Sequence, residues 1–262
     1  MIARKGDSST EFPFRYAALM STATEHYAHH LGPVYCWMVG DLEAASARAT
    51  SELDALGLPK HAHGVAVDLG AGFGLHTVPL ARRGYSVIAI DSCQSLVYEL
   101  QRRAAGMPVN AVAGDILDFT KYVSKPVEVI LCMGDTLTHL PERDSVQHLF
   151  ADVASLLTMG GLFVATFRDY VSAPLQGDRR FIPVRSDDDR ILTCFLEYGE
   201  ETVTVHDLLH ERVNGQWQQR VSSYSKLRLL PEWVAARLGE LGLKVRTGNG
   251  PAGMAMVVAT KG

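Results

Sequence analysis

Two periods of apolar spacing alternate along this chain. Residues 65–67 run apolar into Asp68, then Gly70, Gly72 and Gly74 punctuate a turn, and residues 75–81 take up helical spacing. Short apolar runs follow at 87–90, 109–112, 127–131 and 162–167, with a helical pattern over 142–157 between the last two. Short apolar runs bounded by turn residues predict buried strands. Strands alternating with helices predict an α/β fold on a parallel, doubly wound sheet.

Other segments follow different patterns. Residues 1–11 are polar and carry no period, so a weakly held terminus is expected there. Residues 16–27 and 42–56 show helical spacing around the aromatic-rich 29–38. Strand-like alternation fills 191–198, 202–213 and 217–230, with Asn214-Gly215 as a hairpin signal. That predicts an antiparallel meander. Pro231 suits the first position of a helix. Residues 243–247 and 254–260 predict a closing strand pair.

The glycine turn carries the first chemistry. Glycine has no Cβ, so the turn takes positive φ and lets a ligand lie on bare backbone. The helix that follows offers unpaired N–H groups. Asp91 ends the second strand, where a carboxylate accepts both hydroxyls of a ribose. The spacing is G-x-G-x-G; Leu75 stands where the dinucleotide fingerprint has its third glycine.

The segment Asp68-Leu69-Gly70-Ala71-Gly72-Phe73-Gly74 resembles the first motif of the class I S-adenosylmethionine-dependent methyltransferases. Gly114-Asp115-Ile116 is similar to the family's adenine-binding segment, and Met159-Gly160-Gly161 to the turn before its fifth strand. The loop Gly134-Asp135-Thr136-Leu137-Thr138-His139-Leu140 resembles that of the glycine N-methyltransferase-like branch. It departs at Asp135, where that branch has Asn, and at Thr136, where it has Ser. The resemblance spans roughly residues 64–167 and the last strand pair.

The resemblance implies a Rossmann-like, doubly wound seven-stranded sheet with the meander inserted between the fifth strand and the last helix. The expected divisions are a helical cap at 1–58, the core at 59–170, the insert at 171–230 and the closing helix and strand pair at 231–262. It implies S-adenosylmethionine as cofactor, held by Asp68, Gly70, Ala71, Gly72, Gly74, Asp91, Ser92, Asp115, Ile116, Cys132, Met133 and Gly134. It implies methyl transfer to a nitrogen or oxygen of a small molecule. An RNA or protein acceptor, or a catalytically silent binding protein, are the alternatives.

Composition narrows the partners. The 262 residues are 47% hydrophobic and 21% charged, with net charge −4, as a soluble core-bearing protein requires. No Lys/Arg run exceeds a pair, so the footprint of a nucleic-acid binder is missing. No apolar stretch is long enough to span a membrane. No apolar run follows the basic start, so no signal peptide is expected. Cys36, Cys93, Cys132 and Cys194 are scattered, which predicts free thiols and a cytoplasmic protein. His26, His29 and His30 have metal-compatible spacing, but a solvated helix face is the expected reading and no metal is expected. Whether the meander serves a homodimer or roofs the site stays open.

Several residues are candidates for the acceptor end. His139 is suited to accept a proton or to brace its loop. Asp135 is placed to hold an amine or to act as a loop acid. Arg168 could pair with a carboxylate, and Tyr170 could position the acceptor or pack under the insert. Tyr27, Tyr35 and Trp37 are placed to close over the cofactor or to serve as core.

Overall fold

The computed structural model describes residues 20–262. The weakly held terminus at 1–11 and the start of the helical pattern at Tyr16 lie outside the described residues. α1 (Ala23–His26) begins at Thr22, whose hydroxyl accepts from the Glu25 N–H while the Glu25 carboxylate accepts from the Thr22 N–H. That reciprocal cap satisfies two donors of a helix too short to hold alone. The chain widens into a π-turn (Tyr27–Leu31) and then tightens through a 3₁₀ turn (Gly32–Val34) into α2 (Tyr35–Val39). α3 (Leu42–Ala55) follows, with the Asp41 carboxylate accepting from the Glu43 and Ala44 N–H groups.

The core then alternates: β1 (Val65–Leu69), α4 (Thr77–Arg82), β2 (Ser86–Asp91), α5 (Gln94–Arg103), β3 (Val109–Ala113), β4 (Val127–Cys132), α6 (Arg143–Leu156), β5 (Leu157–Phe167). The second sheet comprises β6 (Phe181–Ser186), β7 (Arg190–Tyr198), β8 (Thr202–Val213) and β9 (Gln216–Leu227). α7 (Pro231–Glu240), β10 (Leu243–Asn249) and β11 (Ala255–Lys261) close the chain. The main sheet has seven strands in the order β10-β11-β5-β4-β1-β2-β3, with β11 antiparallel to β5. The expected fold class is borne out.

Strand alternation sends side chains to two cores. Val67 and Leu69 of β1 and Ile130 and Cys132 of β4 pack with Leu149, Phe150 and Val153 of α6 and Val234 and Leu238 of α7. Ala66, Val129, Leu131 and Val164 face the other way, onto Leu53 of α3 and Leu80 of α4. Strands buried on both faces read as continuous apolar runs, which is why the sequence pattern located them.

The second sheet is antiparallel, in the order β6-β7-β8-β9. Asn214 (φ 51°) and Gly215 (φ 79°) form the two-residue turn between β8 and β9, with Val213 opposite Gln216. β6 was not anticipated. Pro183 interrupts its pattern, and a strand with proline fits only an edge, where β6 lies. Val203, Val205 and Leu209 of β8 point inward. Leu209 and Leu192 pack against Leu31 and Val34 of the N-terminal segment. That segment is therefore wedged between core and second sheet.

Candidate active site

The turn after β1 is held by β2. The Gly70 and Ala71 N–H groups donate to the Ile90 carbonyl at 2.8 and 3.1 Å. Gly70, Gly72 and Gly74 have φ of 74°, 52° and 92°. A Cβ at Gly70 would run into Thr136, and one at Gly74 into Leu100; at Gly72 it would meet only Tyr35, 3.9 Å away. Two glycines thus permit close packing, while Gly72 presents open backbone. Its N–H donates to Asp91 Oδ2 at 2.7 Å, and the Cys93 N–H donates to Asp91 Oδ1 at 2.8 Å. Each carboxylate oxygen keeps a lone pair for a further donor. Burial raises the Asp91 pKa; the Cys93 and Gly72 N–H groups pull it down, and nearby Asp68 pushes it up.

A cavity of about 520 Å³ opens at the carboxyl ends of the strands. Gly70, Gly72, Asp91, Ser92, Asp115, Ile116, Met133 and Gly134, all read from the sequence as cofactor candidates, line it together. Asp115 also caps the short turn Ile116–Tyr122 by accepting from the Leu117 N–H at 2.9 Å. Asp68, Ala71, Gly74 and Cys132 do not line the cavity. Asp68 is buried, accepts from the Thr77 hydroxyl at 2.6 Å and anchors the start of α4 to the turn. Ala71 packs against Val78 and Leu100, and Cys132 lies in the core.

The rest of the lining is assembled from distant parts of the chain. Ser21, Thr22, Thr24 and Tyr27 come from the N-terminal segment, Thr136 and His139 from the loop after β4, and Thr202, Ser225 and Leu227 from the second sheet. Tyr35 also lines the cavity, its ring 5.8 Å from those of Tyr27 and Phe73. The His139 ring stands between Tyr27 (5.5 Å) and Tyr224 (5.6 Å). Its Nε2 is buried without a partner among the described residues. Burial, with the Lys226 charge and against the opposing pull of Asp135, lowers the His139 pKa to about 3. The imidazole is therefore neutral at physiological pH. Burial also raises the Tyr27 phenol, and pushes Tyr35 to about 12.

Four other acceptor candidates lie behind the cavity wall or away from it. Asp135 does hold an amine, but the amine is Lys226 Nζ, at 2.7 Å. Tyr170 is buried under the second sheet beside Leu196 and Val203 and donates to Asp135 at 3.2 Å. The Arg168 side chain is exposed, and its backbone N–H donates to Asp135 at 2.9 Å. Trp37 sits where the N-terminal segment meets the second sheet, donating to Asp187 at 2.5 Å, with the Arg185 and Arg190 guanidiniums 5.8 and 5.7 Å from its ring.

Of the three histidines expected on a solvated helix face, His29 is exposed as expected and the structure corrects the other two. His26 and His30 are buried, at 1% and 4% exposure. His26 bonds Asp207 at 2.9 Å and Ser222 at 2.8 Å, and its ring stacks on Tyr224 at 4.1 Å. Helical spacing alone did not show that a second sheet covers this face. Among the described residues no cluster of His, Cys, Asp and Glu could hold a metal. Tyr224, Lys226 and Asp207 were missed. Lys226 carried no distinguishing signal, since Arg220 and Arg228 share its strand-like stretch.

The comparisons agree with this geometry. Residues 66–161 match the methyltransferase domain family. Glycine N-methyltransferase of Rattus norvegicus is 25% identical over 145 residues, covering 50% of this chain and 49% of that protein. Glycine/sarcosine N-methyltransferase of Aphanothece halophytica is 23% identical over 115 residues, 43% of each chain. The chain thus matches about half the length of these curated relatives, or less. The CcbJ methyltransferase of Streptomyces caelestis superposes with a TM-score of 0.72 at 19% identity, covering 90% of this chain and 97% of that one. An S-adenosylmethionine-bound amino pentose methyltransferase of Micromonospora echinaspora gives 0.71 at 16%, covering 88% and 97%. The motif and the sheet order are those of the class I S-adenosylmethionine-dependent methyltransferase fold, and the family match falls on its cofactor-binding half. No helix among the described residues is long and apolar enough to cross a membrane.

Proposed function

We propose that the protein transfers a methyl group from S-adenosylmethionine to a nitrogen or oxygen of a small molecule. One observation carries the reading. A single cavity runs from the open backbone of Gly72 and the carboxylates of Asp91 and Asp115 to the ring of His139. That span suits a nucleoside-bearing cofactor at one end and an acceptor at the other. The methyltransferases named above, acting in their own names on glycine, sarcosine or an amino pentose, favour nitrogen.

The roles follow from the geometry. Asp91 takes the ribose hydroxyls on its free lone pairs. Asp115 and Ile116 would receive the adenine, and the open backbone at Gly72 would leave room for the methionine portion on the other side of the ribose. Bound there, the cofactor supplies a methyl group on a cationic sulfur, open to displacement by a lone pair. The protein then has to align the acceptor and exclude water; alignment alone removes roughly 7–11 kcal/mol of barrier. Tyr27 and Tyr35 stay protonated and serve as hydrogen-bond donors or apolar walls. His139 serves as a neutral hydrogen-bonding partner for the acceptor through its imidazole. With a pKa near 3 it is too weakly basic to collect a proton at neutral pH, which replaces the expectation of a titrating base.

The test is an assay with tritium-labelled methyl donor against a panel of small primary and secondary amines, amino sugars and phenols. Label transferred to a panel member supports the reading. Donor binding without transfer to any member, or to an extract of cellular metabolites, contradicts it.

A further inference from the structure

The buried pair Lys226–Asp135 stands directly behind the acceptor-side wall. Along β9, the neighbours of Lys226 on either side, Ser225 and Leu227, line the cavity. Along the loop after β4, so do both neighbours of Asp135, Gly134 and Thr136. Successive side chains of a strand point to opposite faces. Lys226 therefore points away from the cavity as its neighbours point toward it, and Nζ reaches Asp135 at 2.7 Å.

The pair is built with care at the Asp135 end. Asp135 takes φ 79°, a conformation rare for a residue other than glycine. Its Oδ1 accepts from the Arg168 N–H (2.9 Å) and the Thr138 hydroxyl (3.0 Å), and its Oδ2 from Tyr170 (3.2 Å) and Lys226. Both partners are over 90% buried. A buried ion pair is a poor source of stability, because desolvation cancels most of the attraction. Its use here lies in the directional bond between two elements 91 residues apart in sequence.

We propose that Lys226 is a positioning residue for methyl transfer: by locking β9 to the loop after β4 it sets the distance between Tyr224 and His139, and so the shape of the acceptor end. Lys226 touches neither cofactor nor acceptor. The inference rests on the methyl-transfer reading, but the two fail separately. Absence of donor binding and transfer in the parent protein overturns the reading; the variants below test the pair.

The experiment uses the full chain carrying Lys226→Met with Asp135→Asn. Asparagine tolerates the left-handed backbone and keeps hydrogen bonds to the loop. Thermal midpoint, calorimetric affinity for S-adenosylmethionine, and kcat and KM with the panel of amines, amino sugars and phenols are compared with the parent. The expected result is an unchanged midpoint and donor affinity within about threefold, with kcat down about a hundredfold, the scale of loss from a misplacement of about 1 Å. Lys226→Arg, which keeps the charge and the bond, should recover most of that rate. Parental kcat and KM in the double variant would overturn the proposal, as would equal losses of donor affinity and rate.

If no panel member turns over, the contact between the His139 and Tyr224 rings decides, read by nuclear Overhauser effect. Its loss in the double variant supports the proposal and its persistence overturns it. Should the double variant fail to fold, Lys226→Gln is measured in its place, with the same outcomes counting the same way.

Discussion

The two ends of the cavity are built on different principles. At the cofactor end, Gly70, Gly72 and Asp91 lie within one β-turn-α-β unit, and the geometry follows from backbone freedom at the glycines. At the acceptor end the wall is drawn from the N-terminal segment, the loop after β4 and the second sheet, joined by bonds such as His26–Asp207 and Lys226–Asp135. The first end is a local solution that many chains can share. The second is a tertiary one, where a change in any of three segments alters the shape offered to the acceptor.

That contrast predicts separable failures. The largest effect is expected at Gly72. Valine there would face a φ of 52° and place its side chain in the cavity. The strain alone costs about 1–3 kcal/mol, and the filled space adds to it. Donor affinity should drop more than about a hundredfold in a calorimetric titration, while circular dichroism stays native. Gly72→Val with parental affinity would break the assignment of this end to the cofactor.

A smaller effect is expected at His139. His139→Ala removes one neutral hydrogen bond, worth about 0.5–1.5 kcal/mol. kcat should fall about three- to tenfold with donor affinity unchanged. The rate should show no inflection from His139 between pH 5 and 9, because its pKa lies near 3. An inflection near pH 6.5 in the parent, abolished in His139→Gln, would restore the proton-accepting role.

The same imidazole affects stability. His139 drops from 6.5 to about 3 on folding, and burial with His26 beside it takes His30 to about 4. Below pH 6.5 the unfolded chain takes up protons on these rings and the folded chain does not. Their stabilising contribution is full above pH 6.5 and is lost as pH falls toward 4 and then 3. Chemical denaturation at pH 8 and pH 5 should show lower stability at pH 5. The loss should be smaller in His139→Gln. A loss of the same size in that variant would show that the ring is protonated in the folded protein.

The difference between the ends also explains what the sequence revealed. Strands β1 and β4 are buried on both faces, and all of β1 to β5 are short apolar runs marked off by turn residues, so their pattern was readable. So were the turn glycines, Asp91, Asp115 and the Asn214-Gly215 hairpin, because their chemistry is local. For Asp135 the choice between holding an acceptor amine and acting as a loop acid stayed open, since its partner Lys226 lies on another sheet. His26 and His30 were read as solvated, since nothing near them in sequence announces Asp207 or Ser222. β6 was hidden by Pro183, tolerable only because the strand is an edge.

The central claim is that Asp91 and the glycine turn form the cofactor site of a methyltransferase. Titrating S-adenosylmethionine into the parent and Asp91→Ala by calorimetry tests it most directly. Hydrogen bonds to a charged group contribute about 1.5–3 kcal/mol, so Asp91→Ala should bind about ten- to a hundredfold more weakly than a parent that binds with one-to-one stoichiometry. Equal affinity in the two proteins, or no binding by the parent, would contradict the account.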